Sequence, residues 1–502
     1  MNIQLAAASA LQRQAFTLPA LLASGGDERI CPDPSTGRNK YGTTVAPAPA
    51  EICFSSSTAT TISQLSFRAV KQKYDSLFKD ATERKCAAGK LCDDVRLRLK
   101  SFFGLSKTEV VLAASGTDAE LITLALVERL YQQPVTNIVV APTETGSGVL
   151  KAAQGLNFNT RTSMGCIVEP GRRLAGWKDA DIDVATVDIR SPNGAVRPAN
   201  DVDCDAANKA ERALSQGRCV LLHILDTSKT GLSGVSRQTA AEIVRLAPSR
   251  VQVVVDACQL RCPREQIKSD LAKGFIVVIT GSKFAGGPAF SGALLLPLAI
   301  AAQLRDAPPP PLGLADYSAS HDWPMTLRSS FARGLRSFNV GMALRWMAAL
   351  AELERLASVS PELQQEIISY FEAAVCDRAR KLARPLVHHE RQAPQARSIV
   401  PLLVRGRDGM DLDLADAKTL QAELRKPIFS GMDRDTLQRV FHIGQPVTIG
   451  ERAVLRVCAS ASQLADVAER VSGGGTIDKA FAPIACDLDN LFAKWTALMD
   501  RR

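Results

Sequence analysis

The sequence predicts an α/β fold: a large domain on a mostly parallel sheet, followed by a smaller α+β C-terminal domain. Three observations carry this. Short runs rich in Val, Ile and Leu recur between residues 110 and 280, namely VVLAA, NIVVA, CVLLHIL, VQVVVDA and FIVVIT. Helical patterns of ten or so residues separate them, and runs that are apolar throughout are what strands covered on both faces require. Beyond the stiff stretch APPPPLG at 307–313, the pattern changes to long helices and isolated short strands.

In chain order, residues 1–85 read as an irregular N-terminal segment, punctuated by PDPSTG and APAPA and closing on the Ser/Thr-rich stretch at 55–61. Residues 86–330 form the large domain, with helices expected over 119–131, from about 148, around 240 and over 266–273. Residues 331–502 form the small domain. It holds two long helical patterns, 341–356 and 361–382, then the strands SIVPLLV and AVLRVCA, and no internal repeat is visible.

Composition narrows the function classes. A chain of 502 residues with 46% hydrophobic content buries substantial cores. Its net charge of +9 is dispersed, and the densest basic stretch, RLRLK at 96–100, alternates with leucine as a half-buried helix face does. No aromatic residues interleave, so nucleic-acid binding is not expected. The twelve cysteines are scattered, which fits a reducing cytoplasm. Cys258 and Cys262 have no second Cys/His pair nearby at ligand spacing, so they read as thiols and no metal site is expected. The N-terminus lacks the basic region of a secretory signal, with organelle targeting left open. The apolar run at 292–304 contains Pro297 and is too short to cross a bilayer, so no membrane segment is expected.

In a parallel α/β sheet, ligands bind at the carboxyl ends of the strands, where loops converge and helix N-termini point inward. The polar clusters fall there: SGTDAE at 115–120, PTETGSG at 142–148, DTSKTG at 226–231, Asp256, and Thr280, Ser282 and Lys283. Ser115, Gly116 and Thr117 open a helix, so their N–H groups and hydroxyls form an anion cup. A lysine just beyond a buried strand can form a Schiff base with an aldehyde, and a carboxylate one strand earlier can keep a pyridine nitrogen protonated. Together these describe a site for pyridoxal 5'-phosphate (PLP).

The stretch D-A-C-Q, followed by T-G-S-K-F-A-G-G-P with its Lys283 27 residues after Asp256, resembles the class V aminotransferase and cysteine desulfurase branch of fold-type I PLP enzymes. There the motifs are an Asp-Ala-x-Gln turn and a Ser-x-His-Lys type of lysine loop. The resemblance spans about residues 90–300 and, more weakly, the C-terminal domain. It implies that Lys283 is the Schiff-base lysine and proton shuttle, Asp256 the partner of the pyridine nitrogen and Gln259 a hydrogen-bond partner of the ring oxygen. Gly116, Thr117, Thr280 and Ser282 would hold the phosphate, and Ser228 would stand where an Asn often meets the ring oxygen. Ser337, in RSFN, resembles the segment that reaches a neighbouring subunit's phosphate, which implies a homodimer with shared sites. Arg456 would clamp the substrate carboxylate, with Arg333 and Arg336 as rivals and His442 as a loop residue able to approach the substrate.

The chain departs from that pattern twice. The ring-stacking His falls in Thr143-Glu144-Thr145, with no aromatic residue, and the persulfide-forming cysteine of one desulfurase group falls on Ile443 or Gly444. The expectation is therefore a PLP enzyme acting on an amino acid or amine by transamination, with a lyase reaction (elimination or decarboxylation) as the alternative. Cysteine desulfurase is set aside, and a non-catalytic binding protein on the same fold is the remote alternative. A nucleotide-binding protein is disfavoured, because neither GxGxxG nor GxxxxGK[ST] follows the first strand.

Overall fold

The computed structural model describes residues 16–80, 82–332, 335, 338–382, 385–387, 397–406, 410–428 and 434–500. Strand β1 (Glu51–Phe54) comes first. The large sheet follows: β2 (Thr108–Ala113), β3 (Val135–Val140), β4 (Ile182–Val187), β5 (Cys219–Leu225), β6 (Val251–Ala257), β7 (Ile276–Thr280) and β8 (Gly292–Pro297). Their order across the sheet is β2-β8-β7-β6-β5-β3-β4. Strands β3 to β7 run parallel, and β8 is antiparallel to both β2 and β7. The apolar run at 292–297 is thus a sheet strand.

Alternate residues of each strand enter opposite cores. Val253 and Val255 pack in the layer that holds the helix Val340–Ala357, whereas Val254 packs in the layer that holds Gly116–Tyr131. With apolar cover on both faces, β6 is valine at 251 and 253–255, and its one polar residue there, Gln252, donates its amide to Val253 O (2.9 Å) and Gly274 O (3.0 Å). Asp256 is the first residue beyond that cover.

The second sheet contains β9 (Pro385–Val387), β10 (Ile399–Val404), β11 (Val440–Ile449) and β12 (Arg452–Cys458), in the order β1-β11-β12-β10-β9. Here the sequence expectation needs correction twice. The stretch RVFHIGQP, expected as a loop, lies in β11, with a bulge between Gly444 and Val447. Glycine is required there by close approach, because a Cβ at 444 would lie 2.8 Å from Ser57 Oγ and 3.0 Å from Arg456 Cβ.

The N-terminal segment is also more ordered than its punctuation suggests. It carries a short helix, Leu18–Leu22, then β1, then the helix Gln64–Leu77, N-capped by Ser63. Strand β1 pairs in parallel with β11, Glu51 opposite Val440 through Phe54 opposite Ile443. A four-residue strand has little local signature; its partner lies almost 400 residues away, and only that pairing makes it a strand.

Arg345 fixes this segment to the large domain. It is fully buried in the helix Val340–Ala357 and donates through Nε to Phe290 O (2.8 Å), through Nη1 to Ser24 O (2.6 Å) and Leu22 O (3.1 Å), and through Nη2 to Gly25 O (3.1 Å). Replacing Arg345 by Leu deprives four carbonyls of their donor and should lower the unfolding free energy by about 3 kcal/mol or more, read by urea denaturation. A loss below about 1 kcal/mol would show that the segment is held elsewhere.

Candidate active site

The site forms where β5, β6 and β7 end. Leu225 of β5 is in register with Asp256 of β6, and Asp256 with Val278 of β7. This row forms part of the wall of a cleft of about 880 Å3, counting the space open to solvent. Asp256 Oδ1 accepts the N–H of Cys258 (3.0 Å), which turns the chain so that Cys258 and Gln259 also face the cleft. Beyond β7, the turn Gly281-Ser282-Lys283 is closed by Gly281 N–H to Ser291 O (2.7 Å) and Gly286 N–H to Lys283 O (2.9 Å). These bonds aim Lys283 back over the sheet end.

The helix Gly116–Tyr131 presents its N-terminus to the same space. Ser115 caps it by accepting the N–H of Asp118 (3.2 Å), leaving the first amides of the helix free for a ligand. A Cβ on Gly116 would meet Cys258 Sγ at 2.6 Å, so the helix start and the Asp256 turn approach as closely as a glycine permits. Burial pushes the Asp118 carboxyl up to about 6, and burial followed by the Asp256 charge pushes the Cys258 thiol well above its ordinary value.

Of the expected residues, Lys283, Asp256 and Gln259 share the cleft with Gly116, Thr117, Thr280 and Ser282. Thr280 Oγ1 donates to Cys258 O (2.6 Å), so its hydroxyl proton is already committed. Gln259 donates through Nε2 to Ser57 O (3.2 Å), and its Oε1 is buried without a partner.

Three expected residues do not reach the cleft wall. Ser228 is fully buried and donates to Glu144 Oε2 (2.7 Å). His442 is buried on β11 with Nε2 2.7 Å from Glu51 Oε2, so it is a residue between strands and not a loop residue near substrate. Arg456 lies on β12, and its guanidinium is taken up by protein oxygens: Nε to Gln445 O (2.9 Å), Nη1 to Lys229 O (3.2 Å), and Nη2 to Thr58 Oγ1 (3.1 Å) and Gln445 O. Burial lowers it to about 10. It is built as a clamp on backbone, and the carboxylate-clamp role finds no support in its contacts. Ser337, Arg333 and Arg336 lie outside the described residues.

Sequence reading also missed residues. Arg29, Tyr41 and Thr58 reach the cleft from the N-terminal segment, with no local signal to announce them. Glu144 and Lys229 lie within two of the polar clusters at strand ends, where the signal was present but unread. Glu144 is buried and held on both oxygens, by Arg190 on one and by Ser228 and Thr230 on the other. Lys229 Nζ lines the cleft without a hydrogen bond or ion pair among the described residues. Burial, then the charges of Arg456 and Lys283, lower it to about 7 against a smaller opposing effect of Glu144. Replacing Glu144 by Ala leaves Arg190 buried and uncompensated and should cost about 3 kcal/mol or more in a denaturant titration. Stability within about 1 kcal/mol of the parent would contradict the structural role given to Glu144.

No protein-family model matches the chain, and no curated protein sequence does. Solved structures do. A cysteine desulfurase from Escherichia coli is 14% identical with a TM-score of 0.52, over 90% of this chain and 96% of its own. The Oryza sativa protein TDC, solved with PLP and tryptamine, is 14% identical with a TM-score of 0.50, over 90% and 84%. A cystine C–S lyase, solved with its product cysteine persulfide, is 14% identical with a TM-score of 0.51, over 86% and 97%. At these identities the likeness establishes the fold, and the fold is that of fold-type I PLP-dependent enzymes.

Proposed function

We propose that the chain is a PLP-dependent enzyme acting on an amino acid or amine, with Lys283 bonded to the cofactor. The observation that carries this reading is the meeting of Lys283, Asp256 and the Gly116 helix start in one cleft. The residues present fit the group. The Lys283 amine has no polar partner among the described residues, Gln259 in the same cleft keeps a buried oxygen with no partner among them, and the helix start offers unpaired amides at a position that excludes a side chain.

PLP, when bound, supplies an electron sink for the negative charge that develops at the substrate's Cα. Asp256, as a carboxylate, holds the proton on the ring nitrogen. Lys283 Nζ takes a proton from Cα and returns it. The N–H groups of Gly116 and Thr117 bind the phosphate with the helix dipole in their favour, Ser282 adds a hydroxyl, and Thr280 contributes only as an acceptor. In place of a ring-stacking His, the cleft has Thr145 and Val149, and its aromatic rings, Tyr41 and Phe290, come from elsewhere in the chain.

Transamination is the first reading of the reaction, and elimination or decarboxylation is the second. The presence of a desulfurase and a C–S lyase among the fold's relatives supports the second. It also removes the support for setting cysteine desulfurase aside, although Ile443 and Gly444 lie on β11 and the cysteine that lines the cleft is Cys258. A homodimer with shared sites belongs to the same reading, carried by the resemblance around Ser337. A cytoplasmic location fits twelve cysteines that are all free. Among the described residues, no helix is long and apolar enough to cross a membrane, and no cluster of His, Cys, Asp and Glu could hold a metal.

Borohydride reduction of the full-length protein loaded with PLP should fix the cofactor to a single peptide, the one containing Lys283, and the Lys283→Ala variant should carry no adduct. An adduct mapped to Lys229, or none at all, would overturn the reading. For the reaction, a panel of amino acids should give keto acid. Keto acid that depends on an added amino acceptor identifies transamination, keto acid released without one identifies elimination, and amine with carbon dioxide identifies decarboxylation.

A further inference from the structure

Among the described residues, the cleft contains one lysine besides Lys283 whose side chain has no hydrogen bond or ion pair. Arg456 commits its guanidinium to Gln445 O, Lys229 O and Thr58 Oγ1. Arg29 is paired with the buried Asp27 through Nε (2.9 and 3.0 Å) and Nη2 (2.6 Å). Lys283 is the amine that the proposed chemistry consumes. Lys229 remains, on the loop just beyond β5, with its backbone held between Arg456 and Glu144: its N–H donates to Glu144 O (2.9 Å), and its carbonyl accepts from Arg456 Nη1. Both backbone groups of Lys229 are therefore pinned while its ammonium points into the cleft unpartnered. Glu144 acts on it only through space, since both of its oxygens are engaged by Arg190, Ser228 and Thr230.

We propose that Lys229, and not Arg456, receives the carboxylate of the substrate, so that the cleft selects an amino acid over a simple amine. A bidentate arginine clamp fixes a carboxylate in a plane, whereas an ammonium on a four-carbon stem binds it as a point charge. Arg456 then acts as a positioning residue: by holding the Lys229 carbonyl and the Thr58 hydroxyl, it sets the root of the lysine and the opposite wall together. The assignment rests on the reading of the cleft as a PLP site, because that reading removes Lys283 from the cations available.

The charge state of Lys229 makes the inference specific. The charged groups that act on it are Arg456, Lys283 and Glu144, and Asp256, Glu120, Arg29, Tyr41 and Cys258 line the same space. Burial and the charges of Arg456 and Lys283 weaken its hold on a proton, and bonding Lys283 to the cofactor removes the second of those charges. A carboxylate binds only the ammonium form, so affinity should hold steady at low pH and fall as the lysine deprotonates, at a pH above about 7 once Lys283 is bonded to the cofactor.

The test is isothermal titration of the full-length PLP-loaded protein with propionate, against propionamide, which has the same skeleton without the charge. The parent protein should bind propionate better than propionamide, with an affinity that declines at alkaline pH as the lysine loses its proton. Lys229→Met should lose roughly tenfold or more in propionate affinity, the value of one charge-assisted hydrogen bond, with propionamide unaffected. Lys229→Arg should restore preference for the anion and abolish the decline with pH, because arginine stays charged throughout. Parental discrimination in Lys229→Met, or no preference for propionate in the parent, would overturn the proposal. Failure of the cofactor reading looks different: the protein would take up no PLP, and borohydride would trap no adduct on Lys283.

Discussion

The parallel register of β5, β6 and β7 is the constraint on which the site depends. It places Leu225, Asp256 and Val278 in one row at the edge of apolar cover. One residue earlier, a carboxylate in β6 would lie among the buried valines, where an ionised group is too costly to persist. One residue later, it would take the place of Ala257, the last residue of β6, which is fully buried with Val253 and Val255. The same edge sets Lys283, since β7 ends at Thr280 and the next three residues are tied back by Gly281 to Ser291. The spacing of the two groups is thus a property of the sheet, and the sheet is stabilised by far more burial than the site contributes.

Around this edge the walls come from distant parts of the chain. The N-terminal segment supplies Arg29, Tyr41 and Thr58, the loop beyond β3 supplies Glu144, and β12 anchors the opposite side through Arg456. Two buried arginines knit these pieces together in the same way. Arg345 binds the carbonyls of residues 22, 24 and 25 to that of Phe290, and Arg456 binds those of Gln445 and Lys229 with the hydroxyl of Thr58. A guanidinium suits this work because its donors fan out in one plane and reach several chain segments at once. Burial lowers both, Arg345 to about 9 and Arg456 to about 10, which measures how fully they have left water.

What the sequence revealed, and what it concealed, follows from the range of the interactions involved. The strands of the large sheet were legible because burial on both faces writes itself into consecutive residues, and Asp256, Gln259 and Lys283 were legible because they stand at the ends of those runs. Strand β1 was not, because four residues after a proline-rich stretch become a strand only by pairing with β11. The contacts of His442 and Arg456 were hidden for a related reason. The residue types suited the proposed roles, but the partners that commit them, Glu51 for one and Gln445, Lys229 and Thr58 for the other, are placed by tertiary packing. Lys229 shows the converse case, a residue quoted within a polar cluster whose importance rests on the contacts it lacks.

That lack of contacts has an energetic consequence. Lys229 has its folded-state value lowered from 10.5 to about 7, so between those pH values the unfolded chain holds more protons than the folded one. Stability therefore rises with pH across that window, and below it the full cost of a poorly solvated ammonium is borne by the fold. A paired carboxylate would remove the cost, and Glu144 stands close enough to act on the lysine electrostatically, yet its oxygens are occupied by Arg190, Ser228 and Thr230. A fold that keeps an adjacent acid and base from neutralising each other retains a charge for something that arrives from outside. An anionic substrate settling beside Lys283 would supply a partner for that ammonium, and its binding would offset the cost.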